Sequence, residues 1–210
     1  MLDVHAPHEK IHGFRDFLLH LLTITIGLLI ALGLEGCVEW NHHRHLRDEA
    51  AANVRQEIED NQKDLASVRA SIGNEQKNLK EIAEVLQLRV DGKPVNKRSL
   101  QLGMTIATLQ DASWQTAAST GALSYMEYAQ VKRYASAYQL QGQFVQMQSA
   151  LVDKVPELLA YVASGDPTQL SASDAGLALG EVRRAMSRLE AMREIGDALD
   201  QTYSKTLKGE

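Results

Sequence analysis

The sequence predicts an all-α chain: an N-terminal transmembrane helix continuing into a long coiled-coil-like helix, packed in a three- or four-helix bundle. Three observations predict it. Phe17 to Leu34 (FLLHLLTITIGLLIALGL) is an uninterrupted run of eighteen residues without a formal charge. From Val54 to Leu86, seam positions recur in alternating steps of four and three. Only four prolines and 5% aromatics stand beside abundant Ala, Leu, Gln and Glu, and no strand-like alternation rises above background.

The whole-chain averages hide this division. With 210 residues, 44% of them apolar, and a mean hydropathy of -0.25, the chain resembles one soluble domain or two small ones. The net charge of -5 argues against a partner bound by phosphate neutralisation, so no nucleic acid is expected. One cysteine excludes a disulfide framework and a multi-cysteine zinc site.

Residues 1–16 read as a short tail and 17–36 as the transmembrane helix. At a rise of about 1.5 Å per residue, the uncharged run plus a flanking turn at each end covers a hydrocarbon core roughly 30 Å thick. A buried core helix would carry a polar stripe, and this run has none. Its one ionisable side chain, His20, sits near the start, and Trp40 is placed to anchor at the interface. Leu34-Glu35-Gly36-Cys37 faintly resembles a lipobox. Glu35 fits that pattern poorly, and the run is longer than a signal-peptide core, so an uncleaved anchor is expected. Thr23, Gly27 and Ala31, four residues apart, form a small-residue face on which a second membrane helix could pack closely.

Residues 37–90 read as a membrane-proximal long helix, reaching about 75 Å beyond Trp40. Ile58, Leu65, Ile72, Leu79 and Leu86 fall at strict seven-residue intervals, a seam interrupted by polar Asn61 and Glu75 at the second core position. Gly92 and Pro94 end the helix within residues 91–96.

Residues 91–210 supply the remaining helices. One is expected from Ser99, as cap, to Ser119, with Leu102, Ile106, Leu109 and Trp114 inward. After a joint at Thr120-Gly121, a long helix is expected from Leu123 to Ala163, kinked or restarted at Pro156. Its inward positions are Met126, Val131, Ala135, Tyr138, Val145, Val152, Leu159 and Val162. Gly165-Asp166-Pro167 reads as a turn. Ser171 to Asp174 has capping-box character before a final helix to Leu207, with Val182, Met186, Leu189, Leu199 and Tyr203 inward.

The search for chemistry yields little. All seven histidines precede Leu46. His42 and His45, at i and i+3, are the candidate metal ligands, but a structural zinc site needs four ligands and Cys37 is off a compact spacing. The reading adopted is a polar cluster at headgroup level, with no metal. His5, His8 and His12 have similar spacing in the tail. Trp114, Tyr125, Tyr128 and Tyr138, with Arg133 as an anion-pairing group, could line a ligand pocket. Aromatics at three- and four-residue steps are more often core. With no histidine after His45, no Ser-His-Asp or Cys-His pair can form in the bundle, and no phosphate loop or nucleotide fingerprint is present. No catalytic residue, cofactor or enzymatic activity is expected.

Ile26-Gly27-Leu28-Leu29-Ile30-Ala31-Leu32, with Trp40 beyond it and then Glu57-Ile58-Glu59-Asp60-Asn61, resembles uncharacterised bacterial single-pass membrane proteins. Those begin with an IGxLIAL span, a tryptophan and a long helix. Trp114 to Leu123 (WQTAASTGAL) is similar to their W…A…SG.L segment. The resemblance implies the architecture and carries no activity, catalytic residue or ligand.

The function expected is a membrane-anchored helical interaction or scaffold protein, an accessory or self-assembling subunit of an envelope complex. Its partners would be the bilayer and either further copies of itself or another membrane protein. The alternative is a periplasmic helical bundle that senses a small ligand and signals through a separate membrane partner. Lys and Arg counts on the two flanks nearly tie. A short tail before a long polar domain favours a single pass through the bacterial inner membrane, with residues 37–210 periplasmic.

Overall fold

The computed structural model describes residues 13–95, 101–162 and 170–210, without the side chains of Leu159, Tyr161 and Val162. The described residues form helices and loops, with no strand among them. The helices are α1 (Phe14–Val90), α2 (Ala112–Ser119), α3 (Tyr128–Val152), α4 (Val155–Val162) and α5 (Ala172–Lys208), with a 3-10 turn at Ala122–Tyr125. The chain divides into two compact units, Met1–Asp48 and Glu49–Glu210.

The first unit is the N-terminal part of α1. It contains a window of eighteen residues with mean hydropathy 2.4, none of it buried, long and apolar enough to cross a membrane. The Thr23 and Thr25 hydroxyls donate to the carbonyls of Leu19 (2.9 Å) and Leu21 (2.8 Å) in their own helix. Hydroxyls satisfied in this way place no unpaired donor on the apolar surface.

The second unit begins with the rest of α1. Its buried stripe runs Val54, Ile58, Asn61, Leu65, Val68, Ile72, Glu75, Leu79, Ile82 and Leu86, every seam position in the four-three rhythm. α5 buries a stripe of the same rhythm, Ala175 to Thr206, and packs along α3. Burying each large aliphatic side chain contributes about 1.5–3 kcal/mol, so these stripes are the main source of the fold's stability. Gly196 lies where α5 comes close to Phe144 of α3 and Arg69 of α1. A β-carbon there would stand 3.2 Å from the Phe144 ring and 3.7 Å from the Arg69 stem.

The termini follow from local chemistry. α1 ends at Val90 because Gly92 takes φ +67, letting Lys93 N–H reach the Leu88 carbonyl (2.9 Å) and Gly92 N–H the Arg89 carbonyl (3.1 Å). α5 begins with a capping box: Ser171 Oγ accepts from Asp174 N–H (3.0 Å) and donates to the Asp174 carboxylate (2.7 Å). The break before Pro156 falls at Asp153-Lys154, and α4 restarts at Val155. Proline in a first turn lacks only an N–H that would be unpaired there anyway.

Three expectations are corrected. The helix expected from Ser99 to Ser119 is present only as α2, and residues 101–111 carry no regular secondary structure. Ser99 lies outside the described residues, as do His5, His8, His12 and the Gly165-Asp166-Pro167 turn. Ile106, expected inward, is 55% exposed. The helix expected from Leu123 to Ala163 is three pieces, and its inward face is only in part the one expected. Met126 and Tyr138 are buried as expected, but Ala135, Val145 and Val152 are exposed, while Tyr134, Ala137, Gln141, Phe144, Gln148 and Leu151 are buried. Both differences have one cause. The buried stripe of α3 includes two glutamines because their amides hold the backbone of residues 107–110.

Candidate functional site

Residues 105–114 cross the second unit with their backbone bonded to side chains from α1 and α3. Starting from α1, Glu75 Oε1 accepts from Thr105 N–H (2.7 Å). Asn61 clasps Gln110, its Oδ1 accepting from the N–H (2.7 Å) and its Nδ2 donating to the carbonyl (2.6 Å). Glu57 accepts from Ser113 N–H (2.8 Å) and Trp114 N–H (3.4 Å). From α3, Gln148 clasps Ala107 in the same two-way manner at 2.8 and 2.9 Å, and Gln141 Nε2 donates to the Gln110 carbonyl (2.8 Å).

The spacing makes this workable. Gln141 and Gln148 are seven residues apart, a helical rise of about 10.5 Å, close to the about 10 Å that three residues of extended chain can cover. The two amides therefore fall beside residues 110 and 107. Buried backbone N–H and C=O groups need partners, and helix-forming bonds would have supplied them locally. Here side chains from distant parts of the sequence take that place. Asn61, Glu75, Gln141 and Gln148 are each at most 8% exposed.

Glu57 is a second junction. Asp111, ahead of α2, makes no side-chain cap bond, and the Glu57 carboxylate takes that role from another helix. An anion at a helix N-terminus is also favoured by the helix dipole. Glu57 Oε1 accepts from the Tyr138 hydroxyl (2.6 Å), and the Tyr138 ring stacks on Trp114 at 5.4 Å between centroids. Burial pushes the Tyr138 hydroxyl far above its ordinary pKa, and the bond to Glu57 pushes it further. Tyr203, which donates to Gln141 Oε1 (2.6 Å), is raised by burial and then by the Glu57 charge.

The aromatic residues considered as a pocket separate. Trp114 and Tyr138 belong to the Glu57 junction, whereas Tyr125 is 41% and Tyr128 83% exposed. Arg133 is half-buried on α3. At the first unit's end, His42 and His45 are exposed, and Arg44 lies over the Trp40 ring at 5.5 Å. Among the described residues no three His, Cys, Asp or Glu side chains come together as metal ligands. Thr23, Gly27 and Ala31 are exposed on the apolar helix, with nothing near Gly27. Ile58, Leu65, Ile72, Leu79 and Leu86 are all buried by the chain itself, which leaves none of the seam free for a second copy.

α1 and α5 are also joined by charge. The Arg69 guanidinium bonds Asp197 (2.6 Å) and Asp200 (2.7 Å), and Gln62 Nε2 donates to Asp200 (2.9 Å) and Ser204 (2.8 Å). Two buried polar atoms have no hydrogen-bond partner among the described residues, Arg89 Nε and Glu75 Oε2. Glu75 also lines an apolar cleft with Leu79, Met104, Leu151, Leu158 and Leu189.

Sequence reading noticed Asn61 and Glu75 only as interruptions of a seam. The available signal was their spacing: two polar residues fourteen apart in one seam and two glutamines seven apart on α3. No family model, curated protein or solved structure matches the chain.

Proposed function

We propose that this chain is a single-pass, membrane-anchored helical scaffold, an accessory or self-assembling subunit of an envelope complex without catalytic activity of its own. The observation that carries the reading is the fully exposed apolar helix from Phe17 to Leu34, which is stable in water only when covered. A bilayer covers it at the right thickness. The matched seams of α1, α3 and α5 support a coiled-coil-like bundle as the extramembrane part, resting on bonds such as Arg69 to Asp197.

Because the α1 seam is used internally, association falls to the span, where Thr23, Gly27 and Ala31 offer a close-approach face. The partner in this reading is a second copy or another membrane helix, and the location is the bacterial inner membrane with residues 37–210 periplasmic. Native mass spectrometry of the chain extracted in mild detergent tests it, with Gly27→Leu as the comparison. More than one copy, or a stoichiometric membrane partner, lost in Gly27→Leu is the expected result. A monomer with no cross-linked partner overturns it. A membrane-impermeant thiol reagent should label both the exposed Cys37 and a cysteine introduced near the C-terminus from the periplasmic side.

A further inference from the structure

At its C-terminal end the first unit carries an aromatic ring and two arginines on one side of α1 and its carboxylates on the others. At about 100° of turn per residue, Gly33, Gly36, Cys37, Arg44 and Arg47 fall within about 60° of Trp40, whereas Glu35, Glu39 and Asp48 fall about 80–140° away. Trp40 is 63% exposed, and Arg44 lies over its ring at 5.5 Å. That placement follows from the helix: side chains lean toward the N-terminus, here toward the apolar stretch, so Arg44 reaches back one turn. Asp48 bonds Arg47 at 2.7 Å but stands 3.8 Å from Arg44, beyond hydrogen-bond length, which leaves Arg44 the less compensated cation. One and two turns before Trp40, Gly36 and Gly33 present no side chain, and nothing stands within 4 Å of where a β-carbon would be. The same side of the helix therefore has a shallow notch, then a ring, then a cation.

We infer that this side of α1 binds a phospholipid of net negative charge, its phosphate against the Arg44 guanidinium and its glycerol end in the notch at Gly33 and Gly36. The depth matches. Eighteen residues span about 27 Å, so the edge of a hydrocarbon core roughly 30 Å thick falls near Gly36. Trp40 then stands about 6 Å further out, inside an interface about 5–8 Å deep, and Arg44 reaches that level from one turn above. A zwitterionic lipid offers the same phosphate but brings an ammonium that the two arginines repel, so net charge sets the preference. The inference rests on the membrane-span reading, but not on which side of the membrane residues 37–210 lie.

The test is native mass spectrometry of the delipidated full chain in non-ionic detergent, titrated with phosphatidylglycerol and with phosphatidylcholine of the same acyl chains. The expected result is a saturable phosphatidylglycerol adduct with an apparent affinity at least about fivefold above that of phosphatidylcholine, the ratio that one arginine near an anionic headgroup gives. Arg44→Gln should bring the two lipids level. Arg15→Gln, on the other flank of the span, should leave the preference intact, and Gly36→Leu, which fills the notch without changing charge, should weaken both lipids. Inorganic phosphate in large molar excess should not displace the lipid. Equal affinity for the two lipids in the wild type, a preference that survives Arg44→Gln or is lost in Arg15→Gln, full binding in Gly36→Leu, or displacement by phosphate overturns the assignment. Carbonate extraction of the wild type separates the two failures: a resistant chain without lipid preference defeats this site alone, and an extracted chain defeats the span on which it rests.

Discussion

Residues 17–34 of α1 keep their hydroxyls bonded within their own helix, whereas residues 57–75 of the same helix send Glu57, Asn61 and Glu75 across to a distant segment. The first stretch is apolar on every side and exposed. The second is apolar on one stripe, and the polar residues inside that stripe are bonded to backbone. The difference teaches what each stretch could meet. The first, self-sufficient in hydrogen bonds, satisfies the condition that a hydrocarbon surround would set. The second, packed against other segments, offers its buried polar groups to their backbone instead.

The comparison breaks first, and most completely, in the apolar stretch. Ile26→Arg combined with Leu29→Arg puts two charges near its centre, each opposing insertion by about 2.5–3.5 kcal/mol. The protein should move from the carbonate-resistant membrane fraction to the soluble or degraded fraction. A double variant that stays resistant to carbonate would remove the membrane reading. Ala70→Arg, on an exposed position of the second stretch, should leave fractionation unchanged.

A smaller effect, of counterintuitive sign, comes from Asn61→Leu. By heptad rules leucine repairs the seam. In the structure Asn61 is the partner of the Gln110 N–H, and its loss leaves a part-buried donor unpaired, at no more than about 1–3 kcal/mol. Urea denaturation should show a lower midpoint for Asn61→Leu, with little change for Thr23→Val, whose hydroxyl bonds only its own helix. An equal or raised midpoint for Asn61→Leu would mean that the clasp on residue 110 contributes nothing.

These two sites also mark what could be read from the sequence. The apolar stretch was legible because its signal is local: eighteen residues with no charge admit few alternatives. The α1 seam was legible at every apolar position but Val85, which is buried beside Leu86, and the capping pair Ser171 and Asp174 was legible because both partners lie three residues apart. Residues 101–111 were not. Leu102, Ile106 and Leu109 have helical spacing, yet the partners that hold this backbone lie 30 to 49 residues away, in Glu75, Gln141, Gln148 and Asn61. The inward face of α3 was missed for the same reason. Counting apolar residues selected Val145 and Val152, whereas the glutamines that clasp backbone selected the face through Gln141 and Gln148. Glu75 could be located in the seam, but its unpaired oxygen is a property of packing.

At the contact of α5 with Phe144 of α3, Gly196→Ala sharpens the picture of the second unit. Its new methyl would stand 3.2 Å from the Phe144 ring, which must give by a few tenths of an ångström, so the variant should fall short of the gain of about 1 kcal/mol that alanine brings over glycine in a helix interior. Gly27→Ala, with open space around it, should leave the urea midpoint of the second unit unchanged. A Gly196→Ala midpoint raised by that full gain would show that this contact is loose.

Alkaline pH produces a graded loss in the same region. Tyr138 and Tyr203 have pKa values raised in the folded chain above an ordinary value of 10.0, so the unfolded chain ionises first. Their contribution is fully present below about pH 10 and declines as pH rises through and beyond it, by at most about 1.4 kcal/mol per tyrosine per pH unit. Phenolate absorbance should show Tyr138 and Tyr203 titrating only together with unfolding. Titration of these two rings in the folded chain would contradict the burial of the Glu57 junction.

The smallest effect separates two charge pairs on α1 that have nearly the same length. Lys63 meets Asp60 at 2.7 Å and Arg69 meets Asp197 at 2.6 Å. The bond to Lys63 lowers the Asp60 pKa, but both groups are fully exposed, and water takes over when the pair is removed. Arg69 is half-buried, bonds two carboxylates of α5 and lays its stem beside Gly196. Lys63→Met should therefore leave the urea midpoint unchanged at any salt concentration, while Arg69→Met lowers it, because two partly buried carboxylates lose their cation and α5 loses its tie to α1. Equal responses from the two variants would mean that length alone, without burial or connectivity, governs these pairs.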